Sequence, residues 1–401
     1  MIRLAIIVSH PIQYYVPLYR RLAKRKDVEI KVFFTWHGAE SPILDQGFKR
    51  EVAWDIPLRD GYEFEVIPNT SRKPGSHHFW GLQNPRLLSL VLEWQPDAVF
   101  LTGYAYASHL KAMHAFFSRG VPVLFRGDSH LLNQTGGVGW CAKRILLRLV
   151  YRWPAACLYV GKHNRDYYRA FGVPDKKLFP CPHSIEVDRF ANPHDELEKQ
   201  AAAWRKELGI EDHRLVLLFA GKFEDKKRPL ALMRAVKDHD DSNVMVVMVG
   251  DGDFGDQVRQ ITQSAPDRFR VLPFQNQSRM PLVYRLGDLF VLPSAYNETW
   301  GLAVNEAIAS GRPVLVSDRV GCGPELVKPG QTGEIFRADD WKDFREKLKA
   351  ALKLAANMDR AMLIRFARRF DVEATENHLV AALAAVTRSP LEYSEMAVSS
   401  K

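Results

Sequence analysis

Glu298 and Glu306, with seven residues between them, lie in the stretch from Pro293 to Gly311, Pro-Ser-Ala-Tyr-Asn-Glu-Thr-Trp-Gly-Leu-Ala-Val-Asn-Glu-Ala-Ile-Ala-Ser-Gly. The apolar run 288–292 before them predicts a buried strand. A short helix is predicted to begin near Gly301 or Leu302 and to stop at Gly311, with the next strand at 313–317. A helix start aimed from the carboxyl end of a strand is an anion site, because its free N–H groups and dipole favour phosphate. Glu306 lies about one turn inside that helix and Glu298 just ahead of it. Carboxylates beside a diphosphate would be repelled unless they faced hydroxyls. An ionised Glu accepts at two oxygens, which suits the neighbouring hydroxyls of a ribose or a hexose. Diphosphate and sugar hydroxyls together describe a sugar nucleotide.

Further motifs keep the same order. Gly221-Lys-Phe-Glu-Asp-Lys-Lys-Arg-Pro229 follows a predicted strand, 249–252 reads Val-Gly-Asp-Gly, and 317–325 is a Gly-containing loop beyond the glutamate helix. Between about 180 and 340 the chain resembles the retaining GT-B glycosyltransferases of the family-4 type. The resemblance implies two Rossmann-like, doubly wound α/β domains facing across a cleft. It implies that Lys222 and Lys227 hold the donor diphosphate and that Glu306 meets the ribose. Glu298 would meet the donor sugar ring, and the amides of Trp300, Gly301 and Leu302 the phosphate or sugar. Glu298 and Lys227 are therefore expected in catalysis. Lys222 stands where many relatives carry Arg, keeping the charge without the bidentate geometry. Asp251 and Asp253 form Asp-Gly-Asp, a metal signature in the other large glycosyltransferase fold. Asp and Gly are also expected in this turn for backbone reasons, so no metal or other cofactor is expected.

The elements that must position these groups alternate. Strands are expected at 4–8, 29–34, 98–102 and 122–125, with helices at 15–26, 87–94 and 108–119, and the second half repeats the pattern with strands at 215–220 and 244–249. Such alternation predicts parallel sheets covered on both faces. Residues 40–80 are expected to be irregular or a hairpin. The domains are expected at 1–188 for the acceptor and 189–371 for the nucleotide sugar. A helix near 372–386 resembles one that returns to the first domain, followed by a frayed tail. The acceptor side is read from strand ends. His10, Gln13 and Tyr14 follow the first strand; Arg126, Asp128 and His130 follow the strand 122–125. Asp128 stands where relatives place a His beside the reacting carbon, and it could accept a proton from an acceptor hydroxyl.

With 401 residues, 46% hydrophobic, the chain can fill two cores and is too apolar for disorder. Cys141, Cys157, Cys181 and Cys322 show no pairing pattern, and no segment reads as a signal peptide or a spanning helix, so a cytoplasmic protein is expected. The net charge of +9 is uneven: residues 1–190 hold 26 Lys and Arg against 16 Asp and Glu, and residues 191–401 hold 30 against 31. The segment 140–153, with Lys143, Arg144, Arg148 and Arg152 among apolar residues, fits an anionic bilayer surface at the inner face of the cytoplasmic membrane, or an ordinary amphipathic helix. No nucleic-acid motif accompanies the charge. The reading is a retaining glycosyltransferase using a glycan or lipid-linked acceptor, in bacterial surface glycan or glycolipid synthesis. Two alternatives are a sugar-nucleotide epimerase of the same fold and a non-catalytic sugar-nucleotide-binding, membrane-docked protein.

Overall fold

Val244-Met-Val-Val-Met-Val249 has no polar side chain, and every residue in it is buried. Such a run has apolar groups on both faces, so it belongs in the middle of a sheet with helices above and below. The computed structural model, which describes residues 1–36, 43–45, 47–132, 138–238 and 241–387, contains two sheets built this way. Of the described residues, 1–36, 57–132, 138–184 and 372–387 form one unit, and 43–45, 47–56, 185–238 and 241–371 form the other.

In chain order the strands are β1 (Ile2–Val8), β2 (Val28–Phe34), β3 (Ile43–Asp45), β4 (Arg50–Val52), β5 (Phe64–Val66), β6 (Ala98–Thr102), β7 (Val123–Arg126), β8 (Ala156–Tyr159) and β9 (Leu178–Pro180). They continue as β10 (Leu215–Ala220), β11 (Val244–Val249), β12 (Phe269–Leu272), β13 (Leu289–Leu292), β14 (Val314–Ser317) and β15 (Gly333–Phe336). The first unit carries a parallel sheet in the order β5-β2-β1-β6-β7-β8-β9. β1 shows why it is central. Leu4, Ile6 and Val8 enter the apolar cluster on one face, and Ala5 and Ile7 enter the cluster on the other. The second unit carries a parallel sheet in the order β12-β11-β10-β13-β14-β15.

Two segments join units away from their sequence neighbours. The helix Val372–Thr387 packs on the helix Val16–Ala23 of the first unit and buries Leu379, Val380 and Leu383 in its core. Arg21 and Arg25 both reach Glu376 of that helix, at 2.6 and 3.3 Å. The tail 389–401, expected to fray, lies outside the described residues. The second segment departs from the expected boundaries. The antiparallel hairpin β3–β4 and the residues to 56 group with the second unit, although a division at 188 places them in the first. The cause is aromatic packing. Phe48 lies 4.7 Å from Phe274 and Trp54 6.3 Å from it, ring centre to ring centre.

Candidate active site

In the second sheet the strand order reverses between β10 and β13, the position where an open parallel sheet leaves a crevice beyond its strand ends. The loop after β10 holds Lys222 and Lys227, and the loop after β13 holds Glu298. The fold brings two of these three together. Lys227 Nζ donates to Glu298 Oε2 at 2.7 Å, with each side chain 14% exposed. Ser294 Oγ donates to the same oxygen at 3.0 Å. Burial works to raise the Glu298 pKa, but the charge and hydrogen bond of Lys227, with Lys226 and the Ser294 hydroxyl, outweigh it. Glu298 is held below its ordinary value of 4.5 and is ionised at neutral pH. The two loops are tied by a hydrogen bond from Ala295 N to Lys226 O at 2.8 Å and from Tyr296 Oη to Asp225 Oδ2 at 2.7 Å.

Behind the Glu298 loop, Gly321 N donates to Glu298 O at 3.0 Å and Cys322 N to Trp300 O at 2.9 Å. The Trp300 ring is buried and its Nε1 donates to Asn305 at 2.8 Å, so the residue can offer a ligand only backbone. Gly301 enters the helix Leu302–Ala309 at φ +95°, a conformation that a Cβ resists and that turns the chain into the helix start. Glu306 lies deeper than its place one turn into the helix suggests: it is 2% exposed and accepts from Tyr284 Oη at 2.6 Å. The Lys222 ammonium sits 5.0 Å from the centre of the Phe48 ring. Asp251 accepts from Gly252 N at 2.9 Å, and Asp253 takes Lys49 at 2.6 Å. Among the described residues no group of three or more His, Cys, Asp and Glu could hold a metal ion.

In the first sheet the reversal falls between β1 and β6. His10 follows β1, with Nδ1 2.9 Å from Ser9 Oγ and its ring set edge-on against Trp36. Burial lowers its pKa to about 4, so it is neutral at physiological pH. Gln13 and Tyr14 lie half-buried in the turn before the helix Val16–Ala23. Tyr104 and Tyr106 follow β6; neither was singled out from sequence. Their signal was Gly103-Tyr-Ala-Tyr106 directly after a strand whose bounds were read correctly. Tyr106 Oη donates to Ser76 O at 3.1 Å, and Tyr104 Oη lies 3.2 Å from Tyr167 Oη.

The end of β7 and the loop after it set three expected residues differently. Arg126, expected at the acceptor, ends β7 pointing inward: it is 4% exposed, donates to Pro182 O at 3.0 Å and lies over the Tyr15 ring at 5.3 Å. His130 is also buried and accepts from Leu132 N at 3.2 Å, which fixes the loop. Only Asp128 of the three is exposed. On the helix Val138–Val150, Ile145, Leu146 and Leu149 are exposed beside exposed Lys143 and Arg148, while Arg144 packs over Trp140 at 5.2 Å. Among the described residues no helix is long and apolar enough to cross a membrane.

Residues 200–370, which contain the Lys227–Glu298 pair, match the model of the glycosyl transferases group 1 family. This region is similar to the group 1 glycosyltransferases. Over 203 residues the chain is 31% identical to D-inositol 3-phosphate glycosyltransferase of Nocardia farcinica, which covers 48% of this chain and 43% of that protein. Over 171 residues it is 38% identical to the protein of the same name from Corynebacterium glutamicum, covering 40% and 39%. The chain thus spans about half the length of the curated relatives it matches. In fold it resembles Anabaena HepE in complex with UDP and glucose, with a TM-score of 0.67 at 17% identity over 96% of this chain and 100% of that one. Two parallel-sheet α/β units of this kind make the GT-B fold, and the group 1 match falls within the second of them.

Proposed function

We propose that the chain is a retaining, metal-independent glycosyltransferase that moves a sugar from a nucleotide donor to a hydroxyl acceptor. The observation that carries this reading is the partly buried Lys227–Glu298 pair at the switch point of the second sheet. A partly buried ion pair adds little to stability, but both partners suit a sugar nucleotide. Lys227 and Lys222 would neutralise the departing diphosphate, with the amides of Trp300, Gly301 and Leu302 completing its surroundings. Glu298 would exchange the ammonium for hydroxyls of the donor sugar, and Glu306, held by Tyr284, would set the ribose. The bond from the anomeric carbon to the diphosphate oxygen breaks, and the acceptor oxygen bonds to that carbon on the same face. The acceptor proton passes to the departing diphosphate, giving the glycosylated acceptor and a nucleoside diphosphate. Asp128 would hold the acceptor hydroxyl, with His10, Gln13 and Tyr14 as its neighbours.

UDP-glucose is the first donor to test, given the ligands of the Anabaena relative. A glycan or lipid-linked acceptor, and work at the cytoplasmic face of a membrane in surface glycan synthesis, fit the exposed Ile145, Leu146 and Leu149 beside Lys143 and Arg148. Turnover measured after EDTA treatment tests the mechanism: it should persist with retained configuration in the product. Loss on chelation, restored by manganese, would move the phosphate chemistry to Asp251 and Asp253 and end the metal-free reading.

A further inference from the structure

Glu198, on the helix His194–Glu207, is a single carboxylate shared by three arginines. Arg312 Nη2 donates to its two oxygens at 2.9 and 2.7 Å, and Arg360 Nη1 donates to Oε2 at 2.7 Å. Arg285 Nε lies 3.2 Å from Oε1. Arg285 and Arg312 are 1% and 2% exposed, while Arg360 is half-exposed and opens the cluster to solvent. Arg285 ends the helix Met280–Arg285, Arg312 stands just before β14, and Arg360 starts the helix Arg360–Ala367. β13 and β14 both begin here, so the cluster lies at the opposite end of the second sheet from the loops of Lys227 and Glu298.

The charges do not balance. Asp288 faces Arg312, but its carboxylate is paired with Arg205 at 3.1 Å. Asp359, next to Arg360, pairs with Arg365 at 3.3 Å. His194 Nε2 lies 3.9 Å from Glu198, and burial lowers its pKa, so it is neutral at physiological pH and adds no charge. Three guanidiniums against one carboxylate leave two positive charges in excess. The other acceptors are backbone carbonyls: Arg285 donates to Pro281 O at 2.8 Å and Arg312 to Arg285 O at 3.3 Å. Such dipoles solvate a charge without cancelling it. Burial, with Arg312 and Arg360 close by, lowers the Arg285 pKa to about 10 against the pull of Glu198.

Donors are left over as well. Among the described residues, Nε and Nη1 of Arg312 and Nε of Arg285 are buried without a hydrogen-bond partner. A buried N–H with no acceptor is costly. Three of them beside an excess of positive charge suit an anion with several oxygens.

We propose that this cluster is a further anion site, which takes a dianionic phosphate group, free or carried on a small molecule, against Arg285, Arg312 and the half-exposed Arg360. A dianion matches the excess of two charges, and three or four oxygens accept in more directions than the Glu198 carboxylate can.

Thermal unfolding at constant ionic strength, with sodium phosphate or glycerol 3-phosphate replacing sodium chloride, tests the site. At least one of the two should raise the native midpoint with a saturable dose dependence, and which one does so tells whether the group binds free or on an organic carrier. Arg360→Gln should weaken that anion about tenfold, the size of one hydrogen bond between charged groups, and Arg360→Lys should recover part of the loss. Glu198→Gln should melt lower than the native protein in chloride yet bind the anion more tightly, because the carboxylate no longer competes for the arginines. A native midpoint that neither anion raises would overturn the site. So would a rise that Arg360→Gln leaves undiminished, which would put the phosphate elsewhere on the protein, or weaker anion binding in Glu198→Gln.

Discussion

The sheet reversal of the second unit carries charge, and that of the first carries neutral rings. At the β10–β13 reversal stand Lys222 and the pair of Lys227 with an ionised Glu298. At the β1–β6 reversal stand His10, with its pKa lowered to about 4, and Trp36, Tyr104 and Tyr106. Two sheets with the same topology of reversal thus present different chemistry. Fixed charges suit a group that develops charge, as a departing diphosphate does. Neutral rings with hydroxyl and imidazole edges suit a polyol, which needs apolar faces and directed hydrogen bonds. The proposed division of labour between the units rests on this contrast in charge.

The sharpest way to break that division is turnover. Lys227→Met should cost 10²–10³-fold in kcat, about the loss of one preorganised charge contact. Glu298→Gln should lower transfer while nearly preserving nucleoside diphosphate affinity, and Glu306→Gln should weaken that affinity. If the two glutamine variants lose diphosphate binding equally, the roles of the carboxylates are wrongly assigned. If Tyr106→Phe costs as much as Lys227→Met, the contrast between the units fails.

Acid tests the same contrast through stability. His109 is fully buried in the first unit, and burial lowers its pKa from 6.5 to about 4; His378, in the helix Val372–Thr387, falls to about 4 for the same reason. Each is neutral when folded and takes a proton near 6.5 when unfolded. The stability they lend is complete above pH 6.5 and is lost as pH falls towards 4, about 3 kcal/mol for His109. Glu298 has a depressed pKa, so its contribution survives until pH drops below 4.5. Hydrogen exchange should therefore show β1 and β6 losing protection between pH 6.5 and 4.5 while β10 and β13 keep theirs. Parallel loss in both sheets would mean that the histidines do not govern acid sensitivity.

The smallest effect concerns the basic face of the first unit. Arg148→Gln with Arg152→Gln should lower partitioning onto anionic vesicles roughly thirtyfold, at ~1 kcal/mol per charge near the surface. Activity on a short soluble acceptor should stay the same. Equal partitioning of variant and native protein would leave the helix Val138–Val150 as scaffold.

The donor end was legible because its parts lie in contiguous stretches. Strand, glycine and helix start follow one another from 288 to 311, and periodicity locates each. The sequence also marked 215–220, 244–249 and 98–102 with the bounds the fold has. Side-chain direction was not legible. Counting along the chain places Arg126 and His130 at the end of β7 and just after it but cannot say that both are buried. Tyr104 and Tyr106 went unremarked because tyrosines after a strand read equally well as core. The hairpin was hidden for another reason: Phe48 and Phe274 are far apart in sequence, and no local pattern announces such a pair.

The helix Val372–Thr387 has a consequence for how the protein is made. Val16, Leu22 and Val28 form one apolar cluster with Leu379, Val380 and Leu383. A ribosome adding ~5–20 residues per second needs roughly 10–40 s to travel the ~200 residues from the end of β9 to that helix. Throughout that interval the first sheet has one greasy flank uncovered, while the whole second unit emerges and can fold. The half that is synthesised first is therefore the half that is finished last.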